Sequence, residues 1–292
     1  MTDVPCNLCN KNDYSILFGP GVAQINQIVK CNHCGLMYAN PRLRDADQDM
    51  VKDYDPAWVL QHSEQRFDKE SLQVRDYQKT REFLKKSFPD RGKLIEIGSG
   101  FGHLLNYFKP DGWDVMGVEP NRGGCQFSES EFGIKTIPKT IEEAALAENS
   151  VDVVLMMHVI EHVPDPLGTF KEVYRILKPG GYFVLETPRY DTLMFRLLGK
   201  RERSISCDGH IYFFTADTFK KMATNTGFQV QKNDYVGRSL TLERLVWNVG
   251  VISKSDPVKK ALKWISTKLR FKNIWLKLNM RDMQRIYLRK SA

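Results

Sequence analysis

The stretch Leu94-Ile95-Glu96-Ile97-Gly98-Ser99-Gly100-Phe101-Gly102 is a short apolar run that breaks into three glycines at every second position. The apolar residues suit a parallel strand buried on both faces, and the glycines suit a sharp turn whose backbone comes close to a ligand. A helix is predicted to start just after it. The nicotinamide and flavin fingerprint G-x-G-x-x-G requires glycine at position 103, where His103 stands, and this argues against a dehydrogenase. Glu119 closes the next apolar run, Trp113 to Val118, where this topology sets a carboxylate against ribose hydroxyls. Glycine turn and acid together predict an adenosine-type ligand.

Downstream, Asn121 to Phe132 reads as a helix stopped by Gly133, followed by a short strand, Ile134 to Ile137. Val151 to Met157 is a continuous apolar strand apart from Asp152, as expected in the middle of a parallel sheet. It ends in His158-Val159-Ile160-Glu161-His162-Val163-Pro164-Asp165-Pro166. This is not the zinc motif H-E-x-x-H, because the glutamate does not follow the first histidine and two prolines make the segment a loop. His158 and His162 are nonetheless candidates for chemistry at the carboxyl end of a strand.

Phe170 to Leu177 reads as a helix, Lys178-Pro179-Gly180-Gly181 as a turn, and Tyr182 to Glu186 as the fifth strand. A long irregular connection to Thr215 suggests a lid. Thr215 suits the cap of a helix through about Thr226, and Phe228 to Val236 reads as strand six. Met283 to Lys290 alternates like an edge strand.

Cys6-Asn7-Leu8-Cys9 and Cys31-Asn32-His33-Cys34 supply four thiolates for a tetrahedral zinc. With every ligand position taken by Cys6, Cys9, Cys31 or Cys34, the metal is expected to be structural. His33 reads as solvent-facing, and Cys125 and Cys207 as buried.

The chain has 292 residues, which suits one sizeable α/β core with small additions. No leader pattern precedes Cys6, and no apolar run of about 18 residues occurs, so a cytoplasmic protein is expected. The net charge is +8, but residues 251–292 hold 12 Lys/Arg against 2 Asp/Glu, leaving residues 1–250 at −2. A basic surface that tracks nucleic acid is therefore not supported, whereas a local basic patch is. Val258, Leu262, Ile265 and Leu269 mark an apolar helix face, ringed by Lys259, Lys260, Lys263, Lys268 and Arg270. Such a face suits peripheral contact with an anionic membrane or a lipid-linked substrate.

E-x-G-x-G-x-G followed by a strand ending in glutamate resembles the S-adenosylmethionine site of class I methyltransferases. The resemblance spans roughly residues 90 to 236. It implies an α/β, Rossmann-like seven-stranded sheet with strand seven antiparallel beside strand six, plus an N-terminal zinc ribbon and a helical insertion near the C-terminus. It also implies cofactor contacts from Glu96, Gly98, Ser99, Gly100, Gly102, Glu119, Pro120, Thr140, Ile141 and His158, with Tyr54 in the segment covering the acceptor pocket. Cys207-Asp208-Gly209-His210-Ile211-Tyr212-Phe213-Phe214-Thr215 resembles the E-H-x-x-Y-x-S/T segment of zinc-containing bacterial deoxysugar C-methyltransferases, where a Glu-His pair moves a proton. Here Gly209 replaces the glutamate, which favours an oxygen over a carbon nucleophile, with His210 as base and Asp208 as its partner.

The expected organisation is a zinc ribbon over residues 1–45, a helical cover over 46–90 and a methyltransferase domain over 91–292. That last domain includes an acceptor lid at 188–215 and a basic helical insertion at 237–281. The expected function is methyl transfer from S-adenosylmethionine to a hydroxyl of a small sugar, nucleotide-linked or lipid-linked metabolite, with His210, His158 and His162 as catalytic candidates. An RNA methyltransferase is the first alternative, and the charge balance of residues 1–250 opposes it. A non-enzymatic zinc-ribbon adaptor is the second, and the complete glycine and glutamate set opposes that.

Overall fold

The computed structural model describes residues 2–21, 27–42, 76–202, 204–205, 209–241, 257, 260–262, 264 and 275–291. Three short strands, β1 (Tyr14–Phe18), β2 (Ile28–Cys31) and β3 (Met37–Ala39), open the chain. Helix α1 (Gln78–Ser87) leads into β4 (Lys93–Ile97), and α2 (His103–Phe108) follows the glycine turn. Next come β5 (Asp114–Val118), α3 (Arg122–Phe132), β6 (Thr136–Ile137), β7 (Val151–Met157), α4 (Pro166–Ile176) and β8 (Leu177–Pro188). The connection from β8 onward holds α5 (Leu193–Leu198) and β9 (Tyr212–Phe213). Helix α6 (Ala216–Asn225) precedes two long strands, β10 (Phe228–Thr241) and β11 (Trp275–Lys290).

The main sheet has seven strands in the order β10-β11-β8-β7-β4-β5-β6. β11 runs antiparallel to both of its neighbours, and the pairs β8·β7, β7·β4, β4·β5 and β5·β6 are parallel. From β4 the chain winds outward to β5 and β6, then returns to the other side of β4 for β7. The carboxyl ends of β4 and β7 thus form the switch point where ligands bind in such sheets. β7 shows why its run is apolar throughout: Val151, Val154 and Met156 face one buried cluster, while Val153, Leu155 and Met157 face another.

Local signals set the helices. Asn121 caps α3 by accepting from Gly124 N at 2.8 Å, and Gly133 ends it in the left-handed region at φ 58°. Asp165 caps α4 through Gly168 N, with Pro166 in the first turn, so the helix starts earlier than the expected Phe170. A Thr215/Thr218 capping box starts α6.

Two expectations are corrected near the C-terminus. Met283 to Lys290 is not an edge strand: β11 lies between β8 and β10, and β10 takes the edge. Two of its charged side chains, Arg285 and Lys290, are buried because they find partners. Arg285 meets Glu186, while Lys290 Nζ donates to Asn149 Oδ1, Tyr174 O and Leu177 O at 2.7 to 2.8 Å. The range 237–281 is also not helical throughout, since β10 continues to Thr241 and β11 starts at Trp275, where the two long strands pair. Within it, positions 257, 260–262 and 264 are helical. Val258, Lys259, Lys263, Ile265, Lys268, Leu269 and Arg270 lie outside the described residues. The expected turn at Lys178–Gly181 is a bulge inside β8, where Leu177 pairs with Val151 and Tyr182 with Val153.

The N-terminal strands do not stand apart. They form a second sheet, β1-β2-β3-β9, whose last strand comes from the lid. Met37 pairs with Phe213 and Tyr38 with Tyr212, and Cys6, Leu8 and Leu36 share a continuous apolar cluster with Ile95 and Phe170. Polar ties add to this: Lys221 Nζ donates to Cys34 O at 2.9 Å, and Asn7 bridges to Asp165 and Leu167 N.

Candidate active site

β4 ends at the switch point and the chain turns through Gly98, Ser99, Gly100 and Gly102. Gly98 has φ 68°, and a Cβ there would stand 2.3 Å from Val159 Cγ2 in the loop after β7. Gly102 caps α2 at φ 76°, and a Cβ there would meet Ser128 Oγ at 2.2 Å. Gly100 differs, with nothing among the described residues within 4 Å of its Cβ position. The turn is thus clamped at both ends by described residues and not in the middle.

Glu119, just after β5, accepts from Gly100 N (Oε2, 2.8 Å) and from Asn121 N (Oε1, 2.9 Å). Each oxygen keeps a further lone pair. Glu96 is buried, its Oε2 has no hydrogen-bond partner among the described residues, and Ser99 Oγ is in the same condition. Burial, with the neighbouring Glu119 second, pushes the Glu96 carboxyl well above its ordinary range. Pro120 follows Glu119, Thr140 O accepts from Ala144 N, and Ile141 is buried in the core beyond β6.

The other side of the switch point is built from side chains. His158 sits at φ 59°, uncommon for a residue with a Cβ, and its N–H donates to Glu186 O at 2.8 Å. Its Nε2 lies 3.2 Å from Glu186 Oε1 and its Nδ1 lies 3.8 Å from Glu161 Oε1. Burial works against its charge, but the two carboxylates override burial and raise its pKa to about 9. Glu186 is anchored by Arg285, whose Nε donates to Oε2 at 2.7 Å and whose Nη1 reaches Thr80 Oγ1 and Asp76 O. Burial would raise the Glu186 pKa, yet the Arg285 charge and His158 bring it down to about 2.

Glu161 is fully buried; Oε2 accepts from Thr187 Oγ1 at 2.9 Å, and Oε1 has no hydrogen-bond partner. His210 reaches toward that oxygen, with Nε2 at 3.9 Å. Its Nδ1 lies 3.4 Å from Tyr190 Oη, and its ring packs edge-on against His162 at 4.6 Å. Burial lowers both imidazole pKa values, that of His210 to about 4. The segment around β9 is tied to this arrangement because Ile211 N and Tyr212 N both donate to Glu161 O, at 2.9 and 3.1 Å.

The structure therefore brings His158, His162 and His210 into one cluster, beside the glycine turn. Tyr54, Cys207 and Asp208 lie outside the described residues. Glu161, Glu186 and Arg285 were not singled out from the sequence. A signal for the first two was present, since both are charged residues at or just beyond the carboxyl ends of apolar strands, as Glu119 is.

The four N-terminal thiols form a separate group. Cys6 Sγ lies 3.4 Å from Cys34 Sγ, Cys9 Sγ lies 3.5 Å from Cys31 Sγ, and all four sulfurs are within 4.8 Å of one another. A hydrogen bond from Cys6 outweighs burial and lowers the Cys34 pKa to about 5. Four such donors fit a closed tetrahedral thiolate site.

A seven-stranded sheet of this order with a glycine turn and an acidic residue at the switch point defines an α/β nucleotide-cofactor fold of the methyltransferase class. A family model described as "Methyltransferase domain" matches residues 64–233, more than half of the chain, and the protein belongs to that family. Among curated proteins it is similar to a ubiquinone biosynthesis O-methyltransferase of Pseudomonas fluorescens, 32% identical over 101 residues covering 32% of this chain and 44% of that protein. A Pectobacterium carotovorum protein of the same name is 31% identical over 101 residues, 32% of this chain and 42% of that protein. The chain thus spans less than half the length of these relatives. Among solved structures, an S-adenosylmethionine-dependent methyltransferase from Archaeoglobus fulgidus superposes with TM-score 0.54 at 20% identity, over 80% of this chain and 100% of that one. A possible histamine N-methyltransferase from Thermotoga maritima gives 0.51 at 22%, over 81% and 97%. These two share the fold.

Proposed function

We propose that the protein transfers a methyl group from S-adenosylmethionine to an oxygen of a small hydroxylated acceptor, in the class of sugars and nucleotide-linked or lipid-linked metabolites. The residues at the glycine turn fit the cofactor. Glu119 offers free lone pairs to a ribose diol, Gly100 leaves room for backbone approach, and the unsatisfied Glu96 Oε2 and Ser99 Oγ await polar partners. When bound, the cofactor supplies a methyl group already activated on a sulfonium, so alignment contributes most of the rate. A cationic ligand in the cradle would also relieve the strain on Glu96 by favouring its carboxylate.

The observation that carries the oxygen assignment is the neutral, buried His210 beside the unbonded Glu161 oxygen. His210 accepts the acceptor's hydroxyl proton, and the Glu161 carboxylate stabilises the imidazolium that forms. His158 is held as a cation between Glu161 and Glu186 and fixes their positions, while His162 supports the His210 ring. The Glu161 carboxylate thereby takes the place that Gly209 leaves empty. Cys6, Cys9, Cys31 and Cys34 hold a structural zinc. The name of the Pseudomonas and Pectobacterium relatives supports an oxygen acceptor.

The test is calorimetric binding of S-adenosylmethionine, followed by a product-mass survey over nucleotide sugars and phenolic and polyprenyl alcohols. A +CH₂ product on oxygen is expected. Absence of cofactor binding would sink the reading, and a product methylated only on carbon would overturn the oxygen assignment.

A further inference from the structure

The lid carries an exposed face that methyl transfer does not use. In α5, Leu193 is 70% and Leu197 71% exposed, and Arg196 and Lys200 are exposed beside them. Spacing of three and four residues sets all four on one side of the helical segment. The opposite side is occupied: the Phe195 ring packs against Phe18 at 6.1 Å and against Tyr190 at 5.6 Å. Phe18 also lies against Gly199, and it ends β1, whose Ile16 is 61% exposed and Leu17 37%. Exposed leucines with Arg196 and Lys200 among them thus stand next to a strand that itself exposes Ile16 and Leu17, a composition that marks an interaction surface.

We propose that this face docks on an anionic lipid bilayer, its leucines entering the boundary between headgroups and acyl chains while Arg196 and Lys200 meet lipid phosphates. Charge selects this occupant. Asp191 is paired with Arg189, and the exposed side chains of this face are two leucines and two cations, which complement an anionic surface. The route inward is short, because Tyr190 packs edge-on against Phe195 and brings its hydroxyl to 3.4 Å from His210 Nδ1. Docking would therefore present a lipid-borne hydroxyl to His210; that purpose rests on the methyl-transfer reading, while the docking itself does not.

Co-sedimentation of the full chain with vesicles tests it, using phosphatidylcholine alone and an equal mixture with phosphatidylglycerol. Wild type should sediment with the mixture and only weakly with phosphatidylcholine alone. Leu193→Glu with Leu197→Glu should lower partitioning about tenfold or more. Arg196→Gln with Lys200→Gln should lower it roughly fivefold per charge and flatten its salt dependence. All four substitutions are at exposed positions, and calorimetric cofactor binding should stay unchanged; loss of cofactor binding in wild type would break the methyl-transfer reading alone. Wild type that ignores the mixed vesicles, leucine variants that bind as well as wild type, or a wild-type dimer that the leucine variants turn into monomers would each overturn the docking.

Discussion

The two sides of the switch point are made in opposite ways. The cofactor side is mostly local and largely backbone: residues 93–124 supply the turn, the Glu119 carboxylate and the Asn121 cap, with Ser128 and Val159 closing on Gly102 and Gly98. The acceptor side is non-local and made of side chains, with His158 and Glu161 after β7, Glu186 from β8, His210 from the lid and Arg285 from β11. Geometry held by backbone tolerates much change in nearby side chains. Geometry held by a chain of buried charges fails when one member is removed, because the remaining charge is left without a partner.

The comparison breaks most visibly at the four cysteines. Chelating zinc, or Cys31→Ser, removes about 10 kcal/mol or more of metal-linked folding energy from the N-terminal sheet. That sheet includes β9, so a fall in thermal stability and in turnover is expected, with cofactor affinity retained below the new melting temperature. Native proteolysis and full turnover in the metal-free protein would contradict the zinc assignment.

Arg285→Met comes next. Glu186 would stay buried with His158 as its remaining cationic partner, at a cost of about 3 to 5 kcal/mol, measurable by denaturant unfolding. A change under 1 kcal/mol would show that His158 or water, not Arg285, satisfies Glu186.

His210→Ala should lower kcat by about 10²-fold, worth roughly 2.7 kcal/mol, with near-normal cofactor affinity. Equal loss of cofactor binding would mark it as a packing residue. Glu119→Ala should weaken cofactor binding by about 1 to 3 kcal/mol in calorimetry and leave the His210 titration unmoved. Movement of that titration would show that the two sides are not independent.

The smallest effects are in pH. The His158 pKa is raised above the ordinary value near 6.5, so its contribution is complete below that pH and disappears as pH rises through about 9. The His210 pKa is depressed, so the unfolded chain binds the proton first and stability falls as pH drops from about 6.5 to about 4. Ring-proton NMR should show His158 charged and His210 neutral at pH 7, and Glu186→Gln should bring the His158 pKa down.

The cofactor side was legible because its signals are close in sequence: three glycines follow the strand at every second position, two of them where Val159 and Ser128 press in, and Glu119 lies one strand away. The four cysteines were legible for the same reason. The acceptor side was legible only in part. His158, His162 and His210 stand out by residue type, but Glu161 became a partner of His210 only through a contact spanning half a hundred residues. Arg285 misled, since an arginine alternating with apolar neighbours reads as solvent-facing until helices are known to cover both sides of the sheet. β10 and β11 extend each other across 237–241 and 275–281, a pairing that helical spacing in the segment between them concealed.

The place of β11 between β8 and β10 also sets an order in time. The cradle needs only strands close together in sequence, and such contacts form early in folding. Arg285 arrives nearly a hundred residues after Glu186, and until it does the carboxylate at the end of β8 has only His158 to hold it. During synthesis the protein should therefore bind cofactor before it can position an acceptor.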